Sequence, residues 1–255
     1  MTVADESIAR FRALHIPGDP LILFNIWDAG SAKAVAAAGA KAIATGSYGV
    51  AGAQGRADGE DFPLADVFEN LARILSVTDL PVTIDMESGY GADPAGVGVS
   101  VARARAAGAA GINMEDRMPG RNDLLPIAEA QARYRAAADT GIFVNARCDV
   151  FRGADAAKDG ERLVAAVLER ARAYADAGAG SLFVPFLGDP RCIGAICEAS
   201  PLPVNILRAK AGPTHAELAA LGVARISHGH QPWAAAMAWL TGQAQQVLGG
   251  AEPDY

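Results

Sequence analysis

The chain has 255 residues, a length that one (β/α)8 barrel of ~250 residues fills. Lys and Arg number 22 against 29 Asp and Glu, a net charge of −7, which excludes a nucleic-acid or anionic-membrane surface as the main partner, since both need a basic stripe. A composition 51% hydrophobic and 20% charged excludes disorder, and three cysteines are too few for a disulfide framework.

Residues 1–15 read as a charged helix with neither an apolar core nor a cleavage site, so no secretory signal is expected. No stretch reaches about 18 apolar residues without a charge, so no membrane span and a cytoplasmic protein are expected. The first strand, 21–27, leads to helix 32–38, with Ser31 as its expected N-cap and Gly39 as its C′ residue. Strand 41–47 ends in Thr45-Gly46-Ser47, and a long glycine-rich loop, 49–62, precedes helix 64–76. Strand 81–87 carries Asp85 and Glu87, followed by helix 94–107. Strand 111–116 carries Asn113 and Glu115 and opens into a second long loop, 117–125, before helix 126–139. Strand 143–149 carries Asn145, Arg147 and Asp149, followed by helix 160–177. Strands 181–186, 203–208 and 223–229 alternate with helices 190–199, 215–220 and 231–248. The triplet Ala-Gly-Ala recurs after three helices, at 38–40, 107–109 and 177–179, as the same αβ turn.

Eight βα units predict a single (β/α)8 TIM-type barrel over residues 1–255. A doubly wound open sheet uses the same local pattern. It is disfavoured because no G-x-G-x-x-G follows the first strand, and no phosphate-binding G-x-x-x-x-G-K-[ST] loop is present.

Side chains on a strand alternate faces, so Asp85 with Glu87, Asn113 with Glu115, and Asn145 with Arg147 and Asp149 each share one face. Three adjacent strands thus aim acids, amides and one arginine at one barrel mouth. Unpaired buried charge is costly, so the cluster is either an ion-pair network around Arg147 or a site. As a site it predicts a hard divalent cation, Mg2+ or Mn2+, held by Asp85, Glu87 and Glu115. Arg147 offers a planar fork to a substrate carboxylate or developing oxyanion. The N–H groups of Gly46 and Ser47 offer a grip on further oxygens.

These residues resemble the isocitrate lyase / phosphoenolpyruvate mutase superfamily. The resemblance rests on Thr45-Gly46-Ser47, Asp58, Asp85-Met86-Glu87-Ser88-Gly89-Tyr90-Gly91, Glu115-Asp116, Asn145-Ala146-Arg147-Cys148-Asp149, residues 176–185 and Asn205. It implies a Mg2+-dependent enzyme that makes or breaks a bond beta to the keto carbon of a 2-oxo acid through an enolate. It further implies metal holding by Asp85 and Glu87 with Glu115 in support, and oxo-acid binding by Thr45, Gly46, Ser47, Arg147 and Asn205. Asp58 is then placed near the substrate, and Arg147, Asp58 and Glu115 form the catalytic set. Arg117, Arg121 and Asn122 fall in the gating loop. A homo-oligomer, dimer or tetramer, with a C-terminal helix exchanged between subunits is implied as well. The departures narrow the activity. The isocitrate-type lyases carry a Lys-Lys-Cys-Gly-His loop where this chain has residues 117–125 without cysteine, and a Glu where this chain has Val184-Pro185-Phe186. Glu87 also replaces the family's usual Asp. Oxaloacetate-type decarboxylation fits a missing cysteine acid, because carbon dioxide leaves without one. Carbon–phosphorus chemistry, gripped by Arg121 and Asn122, is the alternative enzyme, and a non-catalytic 2-oxo acid binder is the alternative outside catalysis.

His228-Gly229-His230 follows strand eight, without the further histidines of a metal set, and is read as structural or substrate-edge. Cys148 is expected to face the helices as an inert thiol, and Cys192 and Cys197 share one helix without a ligand set. Trp233, Met237 and Trp239 read either as a core stripe or as an oligomer contact.

Overall fold

The computed structural model describes residues 2–253. Eight parallel strands lie in the order β1-β8-β7-β6-β5-β4-β3-β2. They are β1 (Leu21–Leu23), β2 (Ile43–Ala44), β3 (Val82–Asp85), β4 (Gly111–Glu115), β5 (Phe143–Arg147), β6 (Ser181–Val184), β7 (Val204–Leu207) and β8 (Arg225–Ser227). The seam between β1 and β2 closes at one bridge, Ile26 with Thr45, where Ile26 N–H donates to the Ala44 carbonyl at 2.8 Å. The (β/α)8 barrel is therefore real, and each strand is shorter than its apolar run because the strand tops bend into loops that carry the polar residues.

The described residues form ten α-helices: α1 (Val3–Ala13), α2 (Ala29–Ala37), α3 (Ser47–Ala53), α4 (Leu64–Leu75), α5 (Pro94–Ala106), α6 (Ile127–Ala138), α7 (Ala156–Asp176), α8 (Pro190–Ala199), α9 (His215–Ala220) and α10 (Gln231–Leu248). Two expectations need correction. The N-cap of α2 is Asp28, not Ser31. Asp28 accepts from Ser31 N–H at 2.7 Å while Ser31 Oγ accepts from Asp28 N–H at 3.1 Å, a capping box with Ser31 at its third position. The loop expected at 49–62 begins as helix α3, which glycines at 49 and 52 obscured in the sequence. Gly39, Gly108 and Gly178 all have φ between 93° and 102°, so the repeated triplet is one left-handed helix ending used three times.

Core packing decides which end is open. Outward-facing strand residues and the helices form the main apolar layer, with Ile84, Ile112, Val144, Leu182 and Ile206 fully buried. A second cluster, Ile8 and Phe11 of α1 with Leu21, Leu23 and Phe143, fills the barrel's N-terminal end. Phe11 stands edge-on to Phe143 at 5.3 Å, and a Cβ on Gly111 would meet its ring at 2.7 Å. Helix α1 is thus a plug, and the C-terminal mouth is the end left for a ligand. His15, expected within this helix, lies just past it. It is buried against Phe11 and Phe143, with Nδ1 3.0 Å from the Phe11 carbonyl.

Between plug and mouth lies a buried polar layer. Asn145 donates to Asn113 at 2.8 Å, Ser181 to Asn145 at 2.6 Å, and Ser227 to Asn205 at 3.2 Å. Arg225, fully buried, donates to Asn113 at 3.0 Å and to Ser227 at 3.3 Å.

Candidate active site

Asp85 ends β3 at the mouth. Its N–H donates to Thr45 Oγ1 at 3.1 Å, and its carboxylate accepts from Ser47 N–H and Glu87 N–H, each at 3.2 Å. Thr45 and Ser47, expected on substrate, therefore set the orientation of Asp85, and the Ser47 N–H points at a carboxylate of the protein itself. Gly46 lies between them with its Cα facing Gly229, where a Cβ would still find 3.6 Å of room. Burial raises the Asp85 pKa; Arg147 opposes the rise and Asp58 adds to it.

Glu87 does not share the face of Asp85 by strand alternation, because β3 has ended and Glu87 adopts φ 47°. Its Oε2 accepts from Gly59 N–H at 2.7 Å and Glu60 N–H at 2.8 Å. Its Oε1 lies 3.0 Å from Tyr90 Oη, which is also 3.1 Å from the Phe62 carbonyl. One hydroxyl proton serves one acceptor, so both contacts are satisfied when Glu87 carries a proton. Burial first, then Asp85 and Asp58, push the Glu87 carboxyl up to about 8, in the same direction. Asp58 itself is exposed on the loop after α3, yet close enough to act on both acids.

Arg147 ends β5 and is the positive group among these acids. Its Nη1 pairs with Glu115 Oε2 at 2.7 Å, while Nε and Nη2 take the two oxygens of Asp149 at 2.6 and 2.9 Å. Burial works against its charge, but Glu115 and Asp149 outweigh it and keep the guanidinium protonated. Burial also pushes Glu115 up to about 7, against the pull of Arg147. Three of the five N–H donors of Arg147 are engaged, leaving one on each terminal nitrogen for a ligand.

The second long loop is anchored from below. Arg117 is buried, 3.6 Å from Asp149, and donates to the Arg121 carbonyl. Arg117 thus stands at the base of the loop. Arg121 turns onto Asp123 at 3.1 and 2.5 Å, and both are exposed, as is Asn122. Phe186, half-exposed at φ 63°, covers the guanidinium groups of Arg147 and Arg152 at 5.8 and 5.5 Å. Asn205 does not join these groups: it sits fully buried in the polar layer with Ser227.

The expected three-carboxylate ligand set is not assembled. Among the described residues, no group of three or more His, Cys, Asp or Glu is arranged around a common metal position. Glu115 is turned to Arg147 and Glu87 to the loop after α3. The donor chemistry nonetheless fits a hard cation, because Asp58, Asp85, Glu87 and Glu115 supply only oxygen ligands. Burial first, with repulsion from neighbouring carboxylates adding to it, raises the pKa values of Asp85, Glu87 and Glu115, and a bound cation would favour their charged forms. His228 and His230 make no such site. His228 packs on Phe24 and His215, and His230 on Tyr48. Cys148 is buried among apolar residues as expected.

Sequence reasoning missed Glu60 and Arg225, and gave Tyr90, part of the 85–91 motif, no role of its own. Arg225 left a signal, a lone arginine inside an apolar strand. Glu60 lies in a glycine-rich loop without periodicity and left none.

A mouth of this make-up on a (β/α)8 barrel defines a class of carboxylate-rich barrel enzymes, and the comparisons resolve which. The phosphoenolpyruvate phosphomutase family model matches residues 11–248, and the chain belongs to that family, within the isocitrate lyase / phosphoenolpyruvate mutase superfamily. A solved structure from Burkholderia cenocepacia J2315, named as a candidate phosphonomutase, is 51% identical, with TM-score 0.92 over 95% of this chain and 99% of that one. An uncharacterized protein of Mycobacterium tuberculosis is 35% identical over 94% of this chain and 89% of its own. The 2-methylisocitrate lyase of Escherichia coli is 31% identical over 76% of this chain and 67% of its own. An oxaloacetate decarboxylase of Rhodopseudomonas palustris is 32% identical over 74% and 66% respectively.

Proposed function

We propose that the protein is a Mg2+-dependent carbon–carbon lyase that cleaves a small 2-oxo or 2-hydroxy acid through an enolate, with oxaloacetate-type decarboxylation as its reaction. The observation that carries this reading is an arginine, Arg147, paired with Glu115 and acting on Asp85 at the open mouth, where Asp58 in turn acts on Asp85 and both act on Glu87. Asp85, flanked by Glu87 and Glu115, would hold the cation, Mg2+ or Mn2+. Bound there, the ion would supply Lewis-acid stabilisation of negative charge on the reacting acid.

The chain's own groups do the rest. Arg147 presents its two unengaged N–H groups to the substrate carboxylate, and the two-point contact with Asp149 fixes the orientation of the guanidinium plane. Thr45 and Ser47 fix Asp85. Gly46 lets substrate approach the backbone closely. Asp58 faces the substrate from the loop, and Phe186 walls off the β6 side with an apolar ring, where a tricarboxylate would need a polar partner. The loop at 117–125 has no cysteine to deliver a proton, which suits a reaction that releases carbon dioxide and leaves protonation to water. The decarboxylase among the relatives supports the same reaction class.

Carbon–phosphorus chemistry is the second reading, favoured by the 51% identical structure named as a candidate phosphonomutase. Arg121 decides between them. Turnover of oxaloacetate and phosphonopyruvate is measured with Mg2+ for the wild type and Arg121→Ala. The decarboxylase reading expects pyruvate from oxaloacetate faster than Mg2+ alone produces it, scarcely changed by the substitution. Turnover of phosphonopyruvate alone, abolished by the substitution, overturns it.

We further propose that the protein is a homo-oligomer, dimer or tetramer, assembled through α10. In this 18-residue helix only Pro232 is buried, and Trp239 and Leu240 are 60% and 52% exposed. That disfavours the core-stripe reading of Trp239. Trp233 packs inward, against Gly49 and Gly52 of α3. Ile22 of β1 and Phe24 just after it lie exposed and offer the apolar surface for such a helix.

A further inference from the structure

We propose that Glu60 is a positioning residue: with Glu87 it forms a reciprocal clasp that fixes the Asp58 loop over the mouth and so sets Asp58 beside Asp85. The inference rests on the proposed role of Asp58, and goes beyond it in naming what holds that residue in place.

The geometry is two-way. The Glu60 carboxylate accepts from Ser88 N–H at 3.0 Å, Ser88 Oγ at 2.6 Å and Tyr90 N–H at 3.0 Å. The Glu87 carboxylate accepts from Gly59 N–H at 2.7 Å and Glu60 N–H at 2.8 Å. Each acid therefore caps the turn that carries the other. Tyr90 Oη ties in both Glu87 and the Phe62 carbonyl. A carboxylate that accepts two or three N–H or O–H groups is firmly oriented, and here two of them cross-link segments that are 27 and more residues apart in sequence.

The backbone shows that these bonds hold the loops in a form they would not adopt alone. Glu60, Glu87 and Tyr90 all have left-handed φ, at 63°, 47° and 49°, and they account for three of the four such non-glycine residues described. Left-handed backbone is unfavourable for L side chains and persists where surrounding contacts over-determine it. Gly59, at φ 105°, follows Asp58 directly, so the N–H that Glu87 grips is on the residue next to Asp58. Releasing the clasp frees Asp58 from Asp85, while the barrel, built from other residues, stays intact.

Hydrogen exchange, which needs no substrate, reads the clasp; steady-state kinetics read its effect on the reaction. In Glu60→Ala, amide exchange at residues 59–60 and 88–90 is expected to rise roughly tenfold or more, with the melting temperature nearly unchanged. With oxaloacetate and Mg2+, kcat is expected to fall roughly tenfold with a smaller change in KM. Adding Asp58→Asn to Glu60→Ala should cost little more, since both remove the same placed carboxylate. Glu60→Gln, which keeps one acceptor oxygen, should recover part of both effects. Unchanged exchange in Glu60→Ala overturns the clasp. Fully additive losses in the double variant overturn its link to Asp58. If the wild type turns over no acid, the reaction proposal falls and the exchange pattern alone decides the clasp.

Discussion

Each acid at the mouth is placed by neighbours rather than by its strand alone. Asp85 is oriented by Thr45 and Ser47, Glu115 by Arg147, and Glu87 by the loop after α3. Asp85→Asn is nearly isosteric and removes one charge, but its single amide oxygen can accept from only one of Ser47 N–H and Glu87 N–H. It is expected to lower metal-dependent turnover by about 100-fold or more while the protein still folds with at most a small loss of melting temperature, checked by steady-state assay beside calorimetric unfolding. At the plugged end the test is one of pH. His15 is held neutral, pushed down to about 3 by burial and by nearby Arg225. Its folded pKa lies below the unfolded value of about 6.5, so its stability contribution is complete above pH ~6.5 and is lost as pH falls toward 3. By pH 5 the loss is on the order of 2 kcal/mol. His15→Phe should remove this share of the acid sensitivity, visible as a flatter dependence of urea-unfolding free energy between pH 7 and 5. At this scale the sequence showed which residues were charged where an apolar strand should be, and so exposed Asp85, Glu115 and Arg147. It concealed Glu60, the contact of Tyr90 with Glu87 and the true partner of Ser47, because those contacts join loops whose approach no periodicity encodes.

Strands and most helices were legible because apolar β-branched runs and Ala-rich amphipathic runs differ in period. Helix α3 was not, since a segment with glycines at 49, 52 and 55 has weak helix propensity. Its glycines serve packing instead, letting the Trp233 indole lie where a Cβ on Gly52 would sit 2.8 Å away. The same distinction between conformation and space separates two other glycines. Gly39 ends α2 at φ 93° with nothing near a Cβ, so Gly39→Ala meets backbone strain alone, about 1 kcal/mol. A Cβ on Gly91 would lie 2.3 Å from the Val97 nitrogen and 2.5 Å from the Gly96 carbonyl carbon, backbone atoms at the start of α5. Gly91→Ala is therefore expected to cost about 3 kcal/mol, and denaturant titration of both variants should rank them in that order. The reverse ranking would mean that α5 shifts easily, and would weaken the view that the turn after β3 is rigid.

As a whole the molecule is a barrel plugged below by α1, polar in its middle and open above, with one helix, α10, left largely uncovered. The barrel was legible from the count of βα units, and its closure at the Ile26–Thr45 bridge was not. An apolar helix exposing Trp239, Leu240 and Leu248 calls for a partner surface. Light scattering should give a dimer or tetramer, and Trp239→Glu with Leu240→Glu should shift it to the monomer; a monomeric wild type would contradict assembly through α10. The central claim concerns the mouth. Oxaloacetate is titrated into the protein with and without Mg2+, recording heat and pyruvate in the same samples. Metal-dependent binding, with pyruvate formed faster than Mg2+ alone achieves, is the expected result. Absence of binding by both the metal and the acid would contradict the account and leave the carboxylates around Arg147 as a structural ion-pair network.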